Sequence, residues 1–376
     1  MKGWDGGSTE IGSGNSGRPS DKSRRLRIAM ISYYLPSESK IGVGYWVDQL
    51  AREMVRRGHR VTVFSACRAV ESSPYEVKTV KLSGSFRTFR FAWELRHAPL
   101  AQFDVLHAHG DDYWLWRRRA AVHIRTLHGS CFSEAIHITG GRDRLRMFGL
   151  GLGEALATVV ADKTVAISPG TRLWTPWVRE VLADGPDVER FRRSPQRERE
   201  QCPTVLFVGT YHRRKRGALL VEAFRRDVLP AIPEAQLWMV SEDCPPFERV
   251  VPLGRVSDDR LVDLYQRAWV FCLPSSYEGL GIPYIEAMAA GLPVVATPNP
   301  GSRFVLGQGR YGLLTTEAQL GATLASLLRN SVERERLSSL GLERSAVLSL
   351  ARAADRYEDI YYELLGPLCH KRWQVA

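Results

Sequence analysis

One order of elements occurs twice in this sequence, and the two copies start about 175 residues apart. The first copy is an apolar segment, RLRIAMISYYL, a glycine-containing loop, SESKIGVG, and a helical pattern that ends before the apolar segment VTVFSA. Gly58 stands where a helix C-cap is expected. One face of the helical pattern carries Trp46, Val47, Leu50, Ala51 and Met54. This order of strand, loop, helix and strand is a βαβ unit.

The second copy begins at PTVLFVGT and continues with the basic loop YHRRKRG, the helical pattern ALLVEAFRRDVL and the apolar segment AQLWMVS. Two βαβ units this far apart predict two doubly wound, Rossmann-like α/β domains that face each other across a cleft. Ligands of such domains bind at the carboxyl ends of the parallel strands. The sequence therefore places the active site in the cleft.

Length and composition set the domain borders. A chain of 376 residues exceeds one ordinary hydrophobic core of ~100–200 residues. We expect an N-terminal Rossmann-like domain at 24–185, a polar linker at 186–200, a second Rossmann-like domain at 201–354, and a C-terminal helix and tail, 355–376, that cross back towards the first domain. Residues 1–23 are rich in glycine and serine without apolar periodicity, which predicts a disordered tail.

Charge is distributed unevenly between the two halves. Residues 1–185 hold 27 Lys and Arg against 18 Asp and Glu, whereas residues 186–376 hold 25 against 23. The excess in the first half suits an acidic partner, either a membrane surface, a phosphorylated acceptor or nucleic acid, or it is an ordinary soluble basic surface. The segment SFRTFRFAWELRHAPL is either a membrane-surface helix or an amphipathic helix packed on the sheet. Because no DNA- or RNA-binding motif occurs, we expect no nucleic acid partner.

The sequence contains no signal peptide pattern and no stretch of the ~20 apolar residues that cross a bilayer. We therefore expect a cytoplasmic protein, with peripheral contact to the inner face of the cell membrane through the basic N-terminal domain. The six cysteines are scattered without a CxxC pair, and His107 and His109 share a strand face without a third ligand. This pattern predicts neither a metal nor a cofactor.

The segment LPSSYEGLGIPYIEAMAAGLPVVAT carries the sharpest chemical signal. An apolar strand, Val270–Leu273, runs into a loop with two glycines, and a helix starts at the following proline. Gly279 and Gly281 leave backbone amides uncovered ahead of the positive end of that helix, which suits a phosphate or a sugar hydroxyl. On the residues alone, Glu286 stabilises the helix dipole and Glu278 is a loop carboxylate.

Glu278 and Glu286 also have the spacing of the Glu-x7-Glu signature of the retaining GT-B glycosyltransferases of family four, which this chain resembles. Six further segments occur in the family's order: FDVLHAHG, TLHG, ISPG, DGPDVERF, VLFVG and LGRVSDDRLVDLY. The resemblance implies the GT-B fold and a retaining, metal-independent hexosyltransferase. Its donor would be a UDP- or GDP-sugar, and its acceptor would be a lipid-linked sugar, a polysaccharide or a glycoconjugate, bound by the N-terminal domain.

The resemblance also implies roles for individual residues. Glu278 contacts hydroxyls of the donor sugar, Glu286 binds the nucleotide ribose, and His128 of TLHG contacts the donor sugar or its phosphate. The other donor-binding positions lie in glycine loops or beside the base: Gly42, Gly44, Arg255, Val256, Gly279, Leu280 and Gly281.

Two loops depart from the family pattern. Ile41 interrupts the N-terminal glycine loop, and Thr210 and Arg216 stand where the family usually has Arg and Lys. We expect Arg214, Lys215 and Arg216 together to supply the positive charge that Thr210 cannot. The predicted catalytic residues are therefore Glu278, His128 and Arg216.

Two other functions would use the same donor site. A sugar-nucleotide epimerase of this fold would convert its sugar without an acceptor, and a catalytically inactive subunit would bind the donor and transfer nothing. Glu278, Glu286 and His128 argue for an active enzyme, whereas Thr210 and Ile41 leave the inactive subunit open.

Overall fold

Each of the two domains of the computed structural model is built on one parallel sheet. The structure describes residues 24–39, 41–84, 86–116, 120–137, 140–194 and 197–372, so the tail predicted at 1–23 lies outside the described residues. The N-terminal sheet contains β1 (Arg27–Ile31), β2 (Arg60–Ser65), β3 (Glu76–Thr79), β4 (Val105–Ala108), β5 (Val122–Leu127), β6 (Lys163–Ala166) and β7 (Glu180–Val181). Its strand order is β3-β2-β1-β4-β5-β6-β7.

The C-terminal sheet follows the same plan. Its strands are β8 (Thr204–Val208), β9 (Gln236–Val240), β10 (Val250–Pro252), β11 (Val270–Leu273), β12 (Val294–Ala296) and β13 (Leu313–Leu314). They are ordered β10-β9-β8-β11-β12-β13, so that β8 and β11 lie at its centre.

The helices lie between and beside these strands. They are α1 (Gly42–Arg56), α2 (Arg87–Glu94), α3 (Cys131–His137), α4 (Gly141–Val160), α5 (Val188–Phe191), α6 (Gly217–Ala223), α7 (Asp258–Arg267), α8 (Ile282–Ala289), α9 (Pro300–Val305), α10 (Leu320–Arg329), α11 (Ser331–Val347) and α12 (Leu350–Arg372).

The two predicted βαβ units are present. In the first, Ile28 of β1 pairs in parallel with Val61 of β2 and with Val105 of β4. The face of α1 that packs against this sheet contains all five apolar residues that the helical pattern placed together. In the second, β8 and β9 pair in parallel on either side of α6. Strands buried on both faces read as apolar runs, which is why the pattern was visible in the sequence.

The last helix, α12, packs on the N-terminal domain although it follows the C-terminal one. The Tyr361 hydroxyl lies 2.7 Å from Nδ1 of His107, and the Tyr357 hydroxyl lies 2.9 Å from Oγ1 of Thr126. Glu358 of the same helix lies 3.0 Å from Nε2 of His59. The helix begins at Leu350 rather than at 355, and its buried side chains belong to the N-terminal core.

The basic and aromatic segment around α2 packs partly on the sheet. Phe91, Leu95 and Leu100 are buried in the N-terminal core, as the packed alternative requires. Phe86 and Trp93 of the same segment are exposed. Throughout the part of the chain that the structure describes, no helix has the length and apolar character needed to cross a membrane.

Candidate active site

Glu278 lies in the loop that joins the end of β11 to the start of α8. Gly281 closes this loop with a φ of +90°, and an added Cβ there would lie 2.4 Å from the Tyr284 ring. Only glycine meets both conditions. Gly301 packs under the same loop, because an added Cβ would lie 2.7 Å from Cβ of Glu278. The backbone around Glu278 is therefore held tightly.

The Glu278 carboxylate is buried and carries two ion pairs. Nζ of Lys215 lies 2.7 Å from one carboxylate oxygen, and Nη1 of Arg214 lies 2.9 Å from the other. Burial would raise the pKa of Glu278, but Lys215 and Arg214 outweigh burial and lower it. The side chain is therefore ionised and fixed in direction, as a group that orients sugar hydroxyls must be.

The cationic side chains of this basic loop have different partners. Arg216 has a left-handed φ of 58°, and its guanidinium lies 2.7 Å from Glu317 instead of joining Glu278. Lys215, one position earlier, occupies the place beside Glu278. The Thr210 hydroxyl donates to the His212 carbonyl oxygen at 3.0 Å. The catalytic role predicted for Arg216 stays a prediction, and Lys215 has the more direct position.

Glu286 lies in α8 on the same side of the C-terminal domain. Its carboxylate accepts a hydrogen bond of 2.9 Å from the Tyr265 hydroxyl. Burial raises its pKa to about 7, although Tyr265 and Lys215 act in the opposite direction. A carboxylate that receives one hydroxyl has further lone pairs for others, which suits the predicted contact with ribose.

His128 follows β5, and its ring connects two other side chains. Nδ1 of His128 lies 2.5 Å from Asp184, and Nε2 lies 2.9 Å from Nδ1 of His109. Burial raises the pKa of Asp184, an effect that His128 opposes. Burial lowers the pKa of His109 well below its usual value, so this imidazole is neutral. His109 follows β4 and Asp184 follows β7, so the carboxyl ends of parallel strands bring the three together.

This chain of contacts couples the protons of the two imidazoles. A neutral His128 with its proton on Nδ1, towards Asp184, accepts at Nε2 from Nδ1 of His109. A His128 that carries protons on both nitrogens donates from Nε2 to Nδ1 of His109 instead. The sequence reasoning considered His109 only as a metal ligand and did not single out Asp184, because contacts between separate strand ends leave no local pattern.

The two domains meet beside these groups. An added Cβ at Gly279 would lie 3.7 Å from the carbonyl oxygen of His128, and one at Gly170 would lie 2.9 Å from Cβ of Pro300. The Glu278 loop and the His128 loop therefore face each other across the domain boundary. This boundary is where the sequence placed the active site.

The remaining predicted donor residues have different surroundings. An added Cβ at Gly42 would meet nothing within 4 Å, whereas one at Gly44 would lie 3.0 Å from the Tyr34 carbonyl group. Gly44 therefore allows α1 to pack closely on the chain, and Gly42 leaves an open helix start. Arg255 is exposed, and Val256 packs against the C-terminal core. Leu280 is buried in that core.

Within the described ranges, no three or more His, Cys, Asp or Glu side chains form a group that could hold a metal ion. The loop of Arg214 and Lys215 instead places two cationic side chains against the Glu278 carboxylate. A reaction without metal or cofactor stays a prediction.

Solved structures with the same arrangement define the class of fold. The chain matches sucrose-phosphate synthase from Thermosynechococcus elongatus with a TM-score of 0.73 and 21% identity, covering 91% of this chain and 100% of that one. It matches HepE from Anabaena, solved in complex with UDP-glucose, with a TM-score of 0.70 and 15% identity, covering 91% and 100%. The two parallel-sheet domains that meet at Glu278 and His128 have the GT-B fold.

Sequence comparisons point to the same class of enzyme. The model described as "Glycosyl transferases group 1" matches residues 202–330, and "Glycosyltransferase Family 4" matches residues 41–175. A phosphatidyl-myo-inositol mannosyltransferase of Mycobacterium leprae is 27% identical over 85% of this chain and 91% of its own length. A D-inositol 3-phosphate glycosyltransferase of Corynebacterium diphtheriae is 24% identical over 93% and 98%. The chain is therefore a glycosyltransferase whose two parts are similar to the group 1 and family 4 enzymes.

Proposed function

We propose that the protein is a retaining hexosyltransferase that moves a sugar from a UDP- or GDP-sugar to a hydroxyl of a lipid-linked sugar, polysaccharide or glycoconjugate. The observation that carries the proposal is the ionised Glu278, which two cations hold beside the His128 loop. Two relatives bear the names of inositol glycosyltransferases, which favours a cyclitol or sugar at the acceptor end.

The proposed chemistry follows from charge. Breaking the bond between the anomeric carbon and the phosphate oxygen leaves an oxocarbenium-like sugar and a negative nucleoside diphosphate. Lys215 and Arg214 stabilise the departing diphosphate, and Glu278 orients the sugar hydroxyls. Attack from the face that the phosphate leaves retains the anomeric configuration, and the departing phosphate takes the proton of the acceptor hydroxyl. These steps require no metal.

We also propose that the N-terminal domain lies peripherally on an anionic membrane, at the inner face of the cell membrane. Helix α4 supports this, because one of its faces carries an exposed apolar stripe: Leu145, Phe148, Leu152, Leu156 and Val159. Exposed Trp177 lies beside the stripe, with its indole N–H 2.9 Å from Oγ1 of Thr158. Arg142 and Arg144 are exposed at the start of α4. Apolar and basic residues together fit an anionic lipid surface.

Donor hydrolysis without acceptor tests the enzymatic proposal. UDP-glucose, GDP-mannose and ADP-glucose are incubated with wild type, Glu278→Ala and the control Glu343→Ala, which changes an exposed glutamate of α11. We expect nucleoside diphosphate release from a uridine or guanosine donor, a loss of about a hundredfold or more in Glu278→Ala, and no change in the control.

Two results would replace this proposal. Conversion of the donor sugar into an epimer without release of diphosphate would indicate the epimerase, and donor binding without any turnover would indicate the inactive subunit. For the transferase, NMR of the transferred sugar should show the anomeric configuration of the donor. An inverted product would contradict retention.

A further inference from the structure

A cavity of about 510 Å³ lies in the C-terminal domain, at the opposite end of α8 from Glu278. Its walls come from the segment 188–199, which follows β7, from the end of α8 and from α11. Cavities of ~300–1,000 Å³ bind small molecules. Because α8 has eight residues that rise ~1.5 Å each, its two ends are about 12 Å apart. The cavity is therefore separate from the predicted donor site.

Three arginines line this cavity, and no acidic residue does so among the residues that the structure describes. Arg192, Arg193 and Arg199 all belong to the segment 188–199. Arg192 has a partner, since its guanidinium lies 2.8 Å from the Glu189 carboxylate at the surface. Arg193 is exposed and forms no ion pair within the described part of the chain. Cations that converge on one cavity attract an anion.

Arg199 forms the inner wall of the cavity. Its Nη1 lies 2.7 Å from the carbonyl oxygen of Ala268, and its Nη2 lies 2.7 Å from that of Gly291. These are backbone groups at the ends of α7 and α8, and no described carboxylate pairs with this guanidinium. Burial lowers the pKa of Arg199 to about 10, and the nearby charge of Arg193 acts in the same direction. An anion in the cavity would relieve the repulsion between the two arginines.

The other walls of the cavity define the rest of the ligand. They are mostly small and apolar: Val188, Ala289, Ala290 and Ala346. Such walls fit a small apolar group attached to the anion. A phosphate monoester suits the charged end, because its several oxygens accept paired hydrogen bonds from guanidinium groups and its charge can match two arginines.

The segment that carries these arginines also contacts the donor side. The ring of Phe191, beside Arg192, packs edge-on against Tyr265 with 5.5 Å between the ring centroids. The Tyr265 hydroxyl donates to Glu286 at 2.9 Å. A ligand that fixes the segment at Arg192 and Arg193 therefore also fixes the support of Glu286, the residue predicted to bind ribose.

We propose that this cavity binds a phosphate monoester that carries a small apolar group, and that this binding strengthens donor binding at Glu286. The site lies outside the cleft, so its ligand acts as an effector and not as a substrate. The coupling to the donor rests on the proposed function, whereas the binding of the phosphate monoester does not.

Calorimetric titration of phenyl phosphate and of inorganic phosphate into the full-length protein tests the site. We expect phenyl phosphate to bind more tightly, because inorganic phosphate has no apolar group. Arg193→Ala should raise the Kd of phenyl phosphate about tenfold. The matched control is Arg197→Ala, since Arg197 belongs to the same segment but pairs with Asp263 at 3.0 Å and does not line the cavity. Lys215→Ala distinguishes this cavity from the donor site.

The proposed site requires that neither Arg197→Ala nor Lys215→Ala changes the Kd. Absence of binding, equal Kd values for the two ligands, or an equal loss in Arg193→Ala and Arg197→Ala would each overturn it, and so would a loss in Lys215→Ala. Phosphatidate vesicles present the same phosphate monoester on a lipid. Displacement of phenyl phosphate by the vesicles would identify a lipid headgroup as the ligand, and no displacement would identify a free metabolite.

Donor hydrolysis with and without saturating phenyl phosphate tests the coupling. In wild type we expect the donor KM to fall about fivefold with kcat unchanged, and in Arg193→Ala we expect the same basal rate without this response. An unchanged or increased KM in wild type would contradict the coupling. Absence of hydrolysis with every donor would contradict the proposed function and the coupling with it, while the phosphate site would still be decided by calorimetry.

Discussion

The two sides of the cleft satisfy their polar groups in opposite ways. On the C-terminal side, the Glu278 carboxylate is paired with Lys215 and Arg214 within the chain itself. On the N-terminal side, buried His109 and Tyr113 present polar atoms that no described residue satisfies. Ion pairs hold the C-terminal side in one arrangement, whereas the N-terminal side leaves buried polar atoms without a partner among the described residues.

The largest expected effect tests which cation of the basic loop serves the donor side. Lys215→Ala should lower donor hydrolysis about a hundredfold, because it removes the charge beside Glu278. Arg216→Ala should lower it less than tenfold, because Arg216 pairs with Glu317 instead. Steady-state kinetics of both variants measure the ratio. A larger loss in Arg216→Ala would show that the loop rearranges when donor binds. The ion pairs of Lys215 with Glu278 and of Arg216 with Glu317 would then not be those of the donor-bound enzyme.

A smaller effect tests the exposed apolar stripe of α4 on the N-terminal domain. Leu152→Ser should weaken binding to vesicles of phosphatidylglycerol and phosphatidylcholine about tenfold, because one exposed leucine leaves the α4 stripe. The matched control is Leu342→Ser, an exposed leucine of α11 in the other domain. Co-sedimentation gives both affinities. Equal binding by the two variants, or self-association of wild type through α4, would contradict the proposed contact with a membrane.

The smallest effect concerns stability on the donor side. The pKa of Glu286 is raised to about 7, so the stability linked to its protonated form is fully present below about pH 4.5 and is lost as pH rises through about 7. Groups near this carboxyl group are Tyr265, Lys215, Arg190 and Asp258. Glu286→Gln should reduce the loss of unfolding free energy between pH 6.5 and pH 8 by ~1 kcal/mol.

Urea denaturation of wild type and Glu286→Gln at the two pH values measures this difference. An equal pH dependence in both proteins would show that Glu286 ionises at its ordinary pKa. In that case, burial would not raise the pKa of Glu286.

Local patterns were sufficient to predict the fold. The apolar run at Val270–Leu273 is β11, and α8 begins at Ile282, one residue before the predicted proline. Both βαβ units were predicted because strands and helices bury residues at fixed periods. The family resemblance then placed Glu278 and Glu286, whose spacing is local as well.

The details of the site were not predictable in the same way. The positions of Lys215 and Arg216 depend on a left-handed backbone at Arg216, which no residue type in that loop demands. The contacts among His109, His128 and Asp184 join three strand ends that lie far apart in sequence. Such contacts depend on sheet order, which becomes visible only when the chain is folded.

Calorimetric titration of UDP, GDP and ADP into the wild-type protein tests the donor site most directly. We expect that a uridine or guanosine diphosphate binds and that Lys215→Ala weakens its binding, because the charge beside Glu278 meets the diphosphate. If none of the three nucleotides binds, the loop with Thr210 has lost the donor site, and the proposed glycosyl transfer is wrong.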